Sequence, residues 1–215
     1  MRTSKKELFL LGMYAAFMVM ANTLGTKITN LAGIRVSVGI FMMPFMFLIT
    51  DIVGEVSGEE RARLFVQVAE AMLVVLLGFT WLCIRMQPNA TWGNQEAYVA
   101  VFGSTLRMTI ASLVSFVISQ NLDVRLFFSL RKACNGKKLW IRNNVATIIS
   151  QFIDTCVFEY LAFWHLSPKF TTAFVFSMVL PYWGFKVVFA LCDTPFCYLG
   201  VRWLKKGYGE PAVRN

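Results

Sequence analysis

The stretch LWIRNNVATIISQFIDTCVFEY, residues 139–160, combines the length and apolar character of a membrane-spanning helix with polar side chains at regular intervals. The offsets of three, four and three residues between the polar positions place them on one helical face. They are Asn144, Thr147, Gln151 and Asp154. A carboxylate inside a spanning helix costs roughly 2.5–3.5 kcal/mol on insertion scales, so it usually faces a bundle interior or a water-filled cavity. The stretch therefore predicts a helix that lines a solute pathway, with other helices completing it.

The composition of the whole chain indicates a polytopic membrane protein. The 215 residues are 57% hydrophobic and only 15% charged, whereas about a quarter of the residues of a soluble domain are charged. The net charge of +9 arises from Lys and Arg between the apolar runs, as in the cytoplasmic loops of membrane proteins. A nucleic-acid site would be indicated by a basic face with interleaved aromatic residues, and the sequence shows no such face. We expect a lipid bilayer around the chain and no nucleic-acid partner.

The residues that usually bind metals are few. The five cysteines form no C-x-x-C pair, and four of them lie in or beside apolar runs, which is typical of reduced, buried thiols. The single histidine, His165, follows Trp164 at the end of an apolar run and is expected at the membrane interface. We predict no metal site and no cofactor. The basic and apolar N-terminus is interpreted as a retained first helix and not as a cleaved signal peptide.

The apolar runs predict an all-α membrane protein with six transmembrane helices and both termini in the cytoplasm. This orientation gives the inner segments fifteen Lys and Arg and the outer segments four, as the positive-inside rule requires. Proline is expected to kink the second helix at Pro44 and to interrupt the sixth at Pro181 and Pro195. Residues 1–206 would form one transport domain, followed by a short tail over 207–215. The predicted helices cover about 7–24, 36–56, 64–84, 99–123, 139–166 and 170–199.

Several charged side chains fall inside the predicted helices. Asp51 and Glu55 are one turn apart, and they either hold a proton or a cation between them or lie at the cytoplasmic rim beside Arg61 and Arg63. Glu70, two turns into the third helix, either reaches the rim or points inward. Lys186 lies deep in the sixth helix and is expected to need a carboxylate partner. The candidates are Asp51, Glu55, Asp154 and Asp193.

A short motif occurs at the end of the fourth helix and again inside the fifth. The pattern S-Q-x-x-D starts at Ser119 and again at Ser150, an offset of 31 residues. Gln and Asp at positions i and i+3 share a helical face, and neighbouring spans run in opposite directions. The two pairs, Gln120 with Asp123 and Gln151 with Asp154, are therefore candidates to face one cavity.

Such a lining has a recognisable binding chemistry. Carboxylates accept two parallel hydrogen bonds from planar donors, and a guanine-like edge is a donor pair of this kind. Amide and Lys side chains can serve its carbonyl and ring nitrogens, while Phe47, Tyr182, Trp183 and Phe189 are candidates to stack on the ring. This chemistry is compatible with a purine-like solute but does not select it, because cations, sugars and protons fit as well. The chemistry of the residues alone leaves the solute open.

Five stretches together resemble the queuosine precursor transporter family, which is also described as vitamin-uptake-like. They are ANTLGTKI, PFMFLITDIVGEVSGEERAR, SQNLDV, LWIRNNVATIISQFIDT and YWGFKVVFALCDTPFCY. The resemblance implies a six-helix inner-membrane importer of 7-deazaguanines, namely 7-cyano-7-deazaguanine, its 7-aminomethyl relative or queuine. The functional positions that it implies are Asn22, Asp51, Glu55, Gln120, Asp123, Arg142, Asn143, Gln151, Asp154 and Lys186.

We therefore predict a transporter, not an enzyme, that brings a 7-deazaguanine into the cytoplasm for tRNA modification. One alternative is the substrate-binding subunit of an energy-coupling vitamin importer, which would need ATPase partners. An intramembrane enzyme lacks support, because the chain has no H-E-x-x-H motif and no nucleophile–base set. A structural membrane protein would use the buried polar groups only to pair helices. Oligomeric state stays open, with a homo-oligomer as one option.

Overall fold

A computed structural model describes residues 4–31, 33–133, 139–192 and 194–206, and most but not all of the side chains within them. The described residues form seven α-helices, a β-hairpin and a 3₁₀ turn over Val38–Met42. The elements are α1 (Lys5–Leu24), β1 (Ile28–Leu31), β2 (Ile34–Ser37), α2 (Met43–Ser57), α3 (Glu59–Arg85), α4 (Gln95–Ala133), α5 (Leu139–Phe163), α6 (Thr172–Cys192) and α7 (Thr194–Lys205).

The mostly helical architecture agrees with the predicted class of membrane protein. Within the described ranges, five helical segments are long and apolar enough to cross a membrane. These segments are Lys5–Leu24, Val38–Ser57, Glu60–Arg85, Gln95–Ser119 and Thr172–Phe189. The predicted fifth span corresponds to α5, a 25-residue helix whose side chains are described only in part. Six spans, the orientation of the termini and the single domain over 1–206 stay predictions, and the tail over 207–215 lies outside the described residues.

The second helix begins later than predicted. The prediction started it at Val36, but Ile28–Ser37 forms an antiparallel hairpin, and α2 starts only at Met43 after the 3₁₀ turn. The predicted kink at Pro44 is wrong because Pro44 lies in the first turn of α2, where its missing N–H has no carbonyl to bond and its fixed φ suits the helix. Gly33, at φ 84°, lies in the turn of the hairpin.

Two other predicted boundaries change. The fourth helix continues to Ala133, so most of the loop predicted after Asp123 is helical. The predicted sixth helix is divided into α6 and α7 next to Pro195, as expected, whereas Pro181 lies inside a continuous α6. Asp193, between the two helices, lies outside the described residues.

The described part of the structure contains two larger apolar cores and a smaller apolar cluster of Val36, Ile40 and Tyr182. The first larger core lies among α1, α2, α3 and α7, and Val53, Ala69 and Leu204 are its most buried members. The second lies among α4, α5 and α6 and includes Ala111 and Phe163. The packing of α4 along α5 is the most extensive between any two helices. The space between the two cores is where the candidate site lies.

The end of α1 lies against the turn that follows the hairpin, and this contact requires glycine. The Ser37 hydroxyl, which is fully buried, donates a 2.6 Å hydrogen bond to the Gly25 carbonyl. A Cβ on Gly25 would overlap the Ala21 carbonyl oxygen and would lie 3.1 Å from Cε of Met108. A Cβ on Gly39 would lie 2.9 Å from the same Ala21 oxygen. Glycine at position 25 therefore lets the hairpin close one end of the bundle.

Replacing Gly25 with alanine is expected to destabilise the protein by about 1–3 kcal/mol, because overpacking at a close contact displaces its neighbours. The melting temperature of the detergent-purified variant should fall by several degrees. Gly12→Ala, in the same helix with nothing within 4 Å of the added Cβ, is the matched control. It should leave the melting temperature unchanged or raise it, since alanine is the better helix former. Equal melting temperatures for both variants would contradict the assigned contact.

Candidate functional site

A cavity of about 630 Å³ lies between the two apolar cores and is lined by residues from α1 to α6 and from the turn after the hairpin. Its volume is within the range of roughly 300–1,000 Å³ that is common for small-molecule sites. At one end it is bounded by the buried Ser37 and Asn22. At the other it extends to Arg63 and Gln67, which are exposed and lie in the first turns of α3. The cavity therefore reaches the surface at the end of the bundle where α3 begins.

An ion pair on the α5 and α6 wall is the main electrostatic feature of the cavity. Nζ of Lys186 lies 2.9 Å from Oδ2 of Asp154, and the side chains are 6% and 19% exposed, respectively. The hydroxyl of Ser119 lies 3.3 Å from the other carboxylate oxygen, Oδ1, and 3.1 Å from the Phe116 carbonyl oxygen, so these two acceptors share its single proton. The Lys186 ammonium also lies 5.8 Å from the ring centroid of Tyr182. Both oxygens of Asp154 thus have a partner among the described residues.

The helical spacing of the sequence produces this wall. On α5, Gln151, Asp154 and Phe158 are three and four residues apart, and all three line the cavity. On α4, Ser112, Ser115 and Ser119 are three and four residues apart and line the cavity in the same way, and small side chains of this kind let helices pack closely. On α6, Tyr182 and Lys186 are one turn apart on the face towards α5. Of the carboxylates proposed as partners of Lys186, the structure pairs it with Asp154.

The opposite wall carries polar groups from α1 and α3. Nδ2 of Asn22 donates a 3.0 Å hydrogen bond to the Met18 carbonyl one turn earlier. Its Oδ1 is buried and has no hydrogen-bond partner among the described residues. Gln67 and Glu70 also line the cavity. Glu70 therefore points towards the cavity and not towards the rim, the two orientations that the sequence had left open.

Gln67 and Glu70 were missed as site residues, although a signal was present. Their i, i+3 spacing inside an apolar helix repeats the arrangement of Gln151 and Asp154, with Glu in place of Asp. A search for S-Q-x-x-D does not find this Q-x-x-E pair. The cavity is therefore lined by an amide–carboxylate pair on each side, one from α3 and one from α5.

The predicted site residues fall into three groups. The cavity brings together Asn22, Gln151, Asp154, Tyr182 and Lys186. The side chains of four others lie outside the described part of the structure, so their roles stay predictions. These are Gln120, Asp123, Arg142 and Asn143.

Asp51 and Glu55 form the third group, because the structure does not bring them to the cavity. The cavity face of α2 is formed by four residues at offsets of three, four and seven. They are Met43, Met46, Phe47 and Thr50. Asp51 is one residue beyond Thr50, about 100° further around the helix, and both carboxylates are exposed. Their assignment to the substrate site stays a prediction that no contact with the cavity supports.

Aromatic side chains supply flat apolar surface beside the polar groups. Phe47 and Tyr182 line the cavity as predicted, and Phe116 and Phe158 join them. Trp183, in contrast, lies outside the lining and donates a 3.3 Å hydrogen bond to the Ile148 carbonyl. The cavity thus combines stacking surface with paired hydrogen-bond acceptors, which suits a planar, polar ring.

Comparison with known proteins assigns the family. A family model described as a putative vitamin uptake transporter matches residues 37–200. A protein of Bacillus subtilis (strain 168) named probable queuosine precursor transporter is 28% identical over 181 residues, which are 84% of this chain and 78% of that protein. The queuosine precursor transporter of Escherichia coli (strain K12) is 23% identical over 187 residues, 86% of this chain and 82% of that protein.

No solved structure matches the chain. The family model nevertheless covers more than half of the chain, from the last residue of β2 into α7. The family resemblance drawn from the sequence motifs is therefore confirmed. Together with its apolar helices, the match establishes that this chain is a multi-pass membrane protein and belongs to the putative vitamin uptake transporter family, a family of transporters and not of enzymes.

Proposed function

We propose that this protein imports a queuosine precursor, a 7-deazaguanine base, across the inner membrane into the cytoplasm, where the base serves tRNA modification. Two observations support the proposal. Relatives that align over more than four fifths of this chain are named queuosine precursor transporters. The observation that carries it is the cavity itself, in which Gln151 and Asp154 lie beside aromatic surface in a volume that accommodates a base.

In the proposed complex, Asp154 accepts two parallel hydrogen bonds from the ring N–H and the exocyclic NH2 of the base. Gln151 completes the hydrogen bonding, and Tyr182 contributes to the aromatic surface around the ring. Lys186 neutralises Asp154 while the cavity is empty, as their 2.9 Å separation allows. Asn22, whose Oδ1 is buried without a partner among the described residues, supplies an acceptor from the opposite wall.

Import also requires that the site open to each side of the membrane in turn. In our proposal six spans place both termini in the cytoplasm, and the end of the bundle where α3 begins faces the cytoplasm. The contact of Ser37 with Gly25 then closes the outer end of the cavity. Pro181 lies inside α6, beside Tyr182 and five residues before Lys186, so bending of α6 there would couple the site to the movement of the helix.

Thermal stabilisation of the detergent-purified protein tests which base is bound. The probes are guanine, 7-cyano-7-deazaguanine, 7-aminomethyl-7-deazaguanine and queuine. At a concentration one hundred times its dissociation constant, a ligand adds about 2.7 kcal/mol to the stability of the folded state. We expect a rise of several degrees in melting temperature with at least one 7-deazaguanine and a smaller rise with guanine. No shift with any of them, in folded protein, would overturn the proposal.

Uptake into liposomes that contain only the purified chain tests the mode of transport. We expect accumulation or exchange of the base that stabilises the protein in the thermal assay. Binding without uptake by the chain alone would favour a substrate-binding subunit that depends on ATPase partners. That outcome would overturn the proposed autonomous import while leaving the substrate assignment intact.

A further inference from the structure

Glu159 on α5 is a buried carboxylate outside the lining of the cavity. It is 0% exposed, and neither of its carboxylate oxygens has a hydrogen-bond partner among the described residues. Thr155, one turn earlier, and Ala162, nearly one turn later, are also almost completely buried. This side of α5 therefore packs inside the bundle, next to the face that carries Gln151 and Asp154.

An ionised carboxylate at such a position is unfavourable. Its transfer from water into an apolar interior costs far more than that of a neutral polar group, unless a cation or several hydrogen bonds compensate. The nearby cation, Lys186, is paired with Asp154 at 2.9 Å. The uncompensated position therefore favours the neutral, protonated form of Glu159 while the cavity is empty.

Ionisable groups of the site already described act on Glu159 electrostatically. Lys186 and Tyr182 on α6 both interact electrostatically with it. Asp154 lies five residues earlier on the same helix and shares Lys186 as a neighbour. Glu70 lines the opposite wall of the cavity, on α3. Among the described side chains, Lys186 is thus the cation shared by two carboxylates, Asp154 and Glu159.

The remaining helix packed against this part of α5 is α4. Its buried residues on this stretch are the apolar Met108 and Ala111 and the uncharged Thr105 and Thr109, and the Thr109 hydroxyl donates its hydrogen bond to the Thr105 carbonyl. The ionisable residue of α4 beside them is Arg107, and its guanidinium donates hydrogen bonds to the carbonyls of Leu161 and Trp164 at the end of α5. Those bonds hold Arg107 at the end of the helix, so Lys186 is the cation best placed to serve Glu159.

We propose that Glu159 is a proton-binding site linked to solute binding at Asp154. The inference rests on the proposed function, because it requires a base that hydrogen-bonds to Asp154. The base donates hydrogen bonds to the Asp154 carboxylate in place of Lys186, and the Lys186 ammonium is then free to pair with Glu159. The O–H bond of the Glu159 carboxyl then breaks, the proton is released to the solvent, and the carboxylate forms an ion pair with Lys186. One proton is released for each base bound.

Two measurements on the full-length protein in detergent test this linkage. The probes are 7-cyano-7-deazaguanine and queuine, with the protons of each free ligand subtracted in a protein-free titration. In weakly buffered solution, a pH dye should report close to one proton released per bound ligand. Between pH 6 and 8.5, the affinity should rise with pH, by up to tenfold per unit where one proton is exchanged. Glu159→Gln should remove both effects.

The controls separate the possible failures. Glu96→Gln neutralises an exposed carboxylate in the first turn of α4 and should keep the wild-type proton release and pH dependence. Binding to wild-type protein without proton release, or with affinity that falls as pH rises, would overturn the proton site alone. Absence of binding by both probes and by 7-aminomethyl-7-deazaguanine at every pH would overturn the proposed function itself. The proton count is made on wild-type protein, so it decides the question even if Glu159→Gln does not fold.

Discussion

Replacing Asp154 with asparagine is expected to reduce uptake of the base to background. The amide of asparagine offers only one acceptor oxygen, so it cannot accept two parallel hydrogen bonds from the edge of the base. Hydrogen bonds to a charged group are worth about 1.5–3 kcal/mol each, which corresponds to a loss of roughly 10- to 150-fold in affinity for each bond lost. Initial uptake of radiolabelled base into proteoliposomes, normalised to the amount of folded protein, measures the effect.

Glu96→Gln is the matched control for this experiment, because it removes one negative charge at an exposed position away from the cavity. It should transport at the wild-type rate. Wild-type uptake by Asp154→Asn would eliminate Asp154 as a substrate ligand. Normal binding by that variant with uptake lost would also contradict the assignment, since it would place the defect in the movement of the helices.

The wall formed by α5 could be predicted from the sequence because its signals are local. Polar residues at helical spacing in an apolar run must share a face, and a buried Lys must find a carboxylate. The pairing of Lys186 with Asp154 followed from these two rules as one of four options. Choosing among the four required the packing of α5 against α6, which no local pattern determines.

The start of α2 shows where the local signals were misinterpreted. The sequence around Pro44 is compatible with two structures. Proline occurs inside kinked membrane helices, and it also occurs in the first turn of ordinary helices. The residues before it, ITN and IRVS, are rich in β-branched side chains and flank the turn at Gly33. Hydropathy averaged over a span hides such a hairpin, because its strands are too short to interrupt the apolar signal.

Packing also explains why Asp51 and Glu55 are absent from the cavity. Their spacing correctly placed them on one face of α2, but the orientation of that face depends on how the helix packs against α1, α3 and α7. Glu70 is the converse case, since its position in α3 left two orientations open and packing selected the inward one. Spacing thus predicted which residues lie side by side, and tertiary contacts decided which of those faces meet.

Replacing Lys186 with methionine is expected to destabilise the protein more than Gly25→Ala does. The change leaves the Asp154 carboxylate without its cation, and breaking a buried ion pair costs about 3–5 kcal/mol. Asp154 keeps 19% of its side-chain surface exposed, so the lower half of that range applies. The melting temperature should fall by on the order of 10 °C. Differential scanning measurements in detergent, without ligand, give this value directly.

The double variant Asp154→Asn/Lys186→Met then separates stability from transport. Removing both charges eliminates the uncompensated carboxylate, so most of the lost stability should return, because a neutral pair needs no buried counterion. Uptake and ligand-induced stabilisation should stay absent, since Asp154, the carboxylate that binds the base in the proposed complex, has been removed. If the double variant were as unstable as Lys186→Met alone, the two residues would not be coupled. If it regained uptake, the polar groups of this wall would serve only to pair α5 with α6.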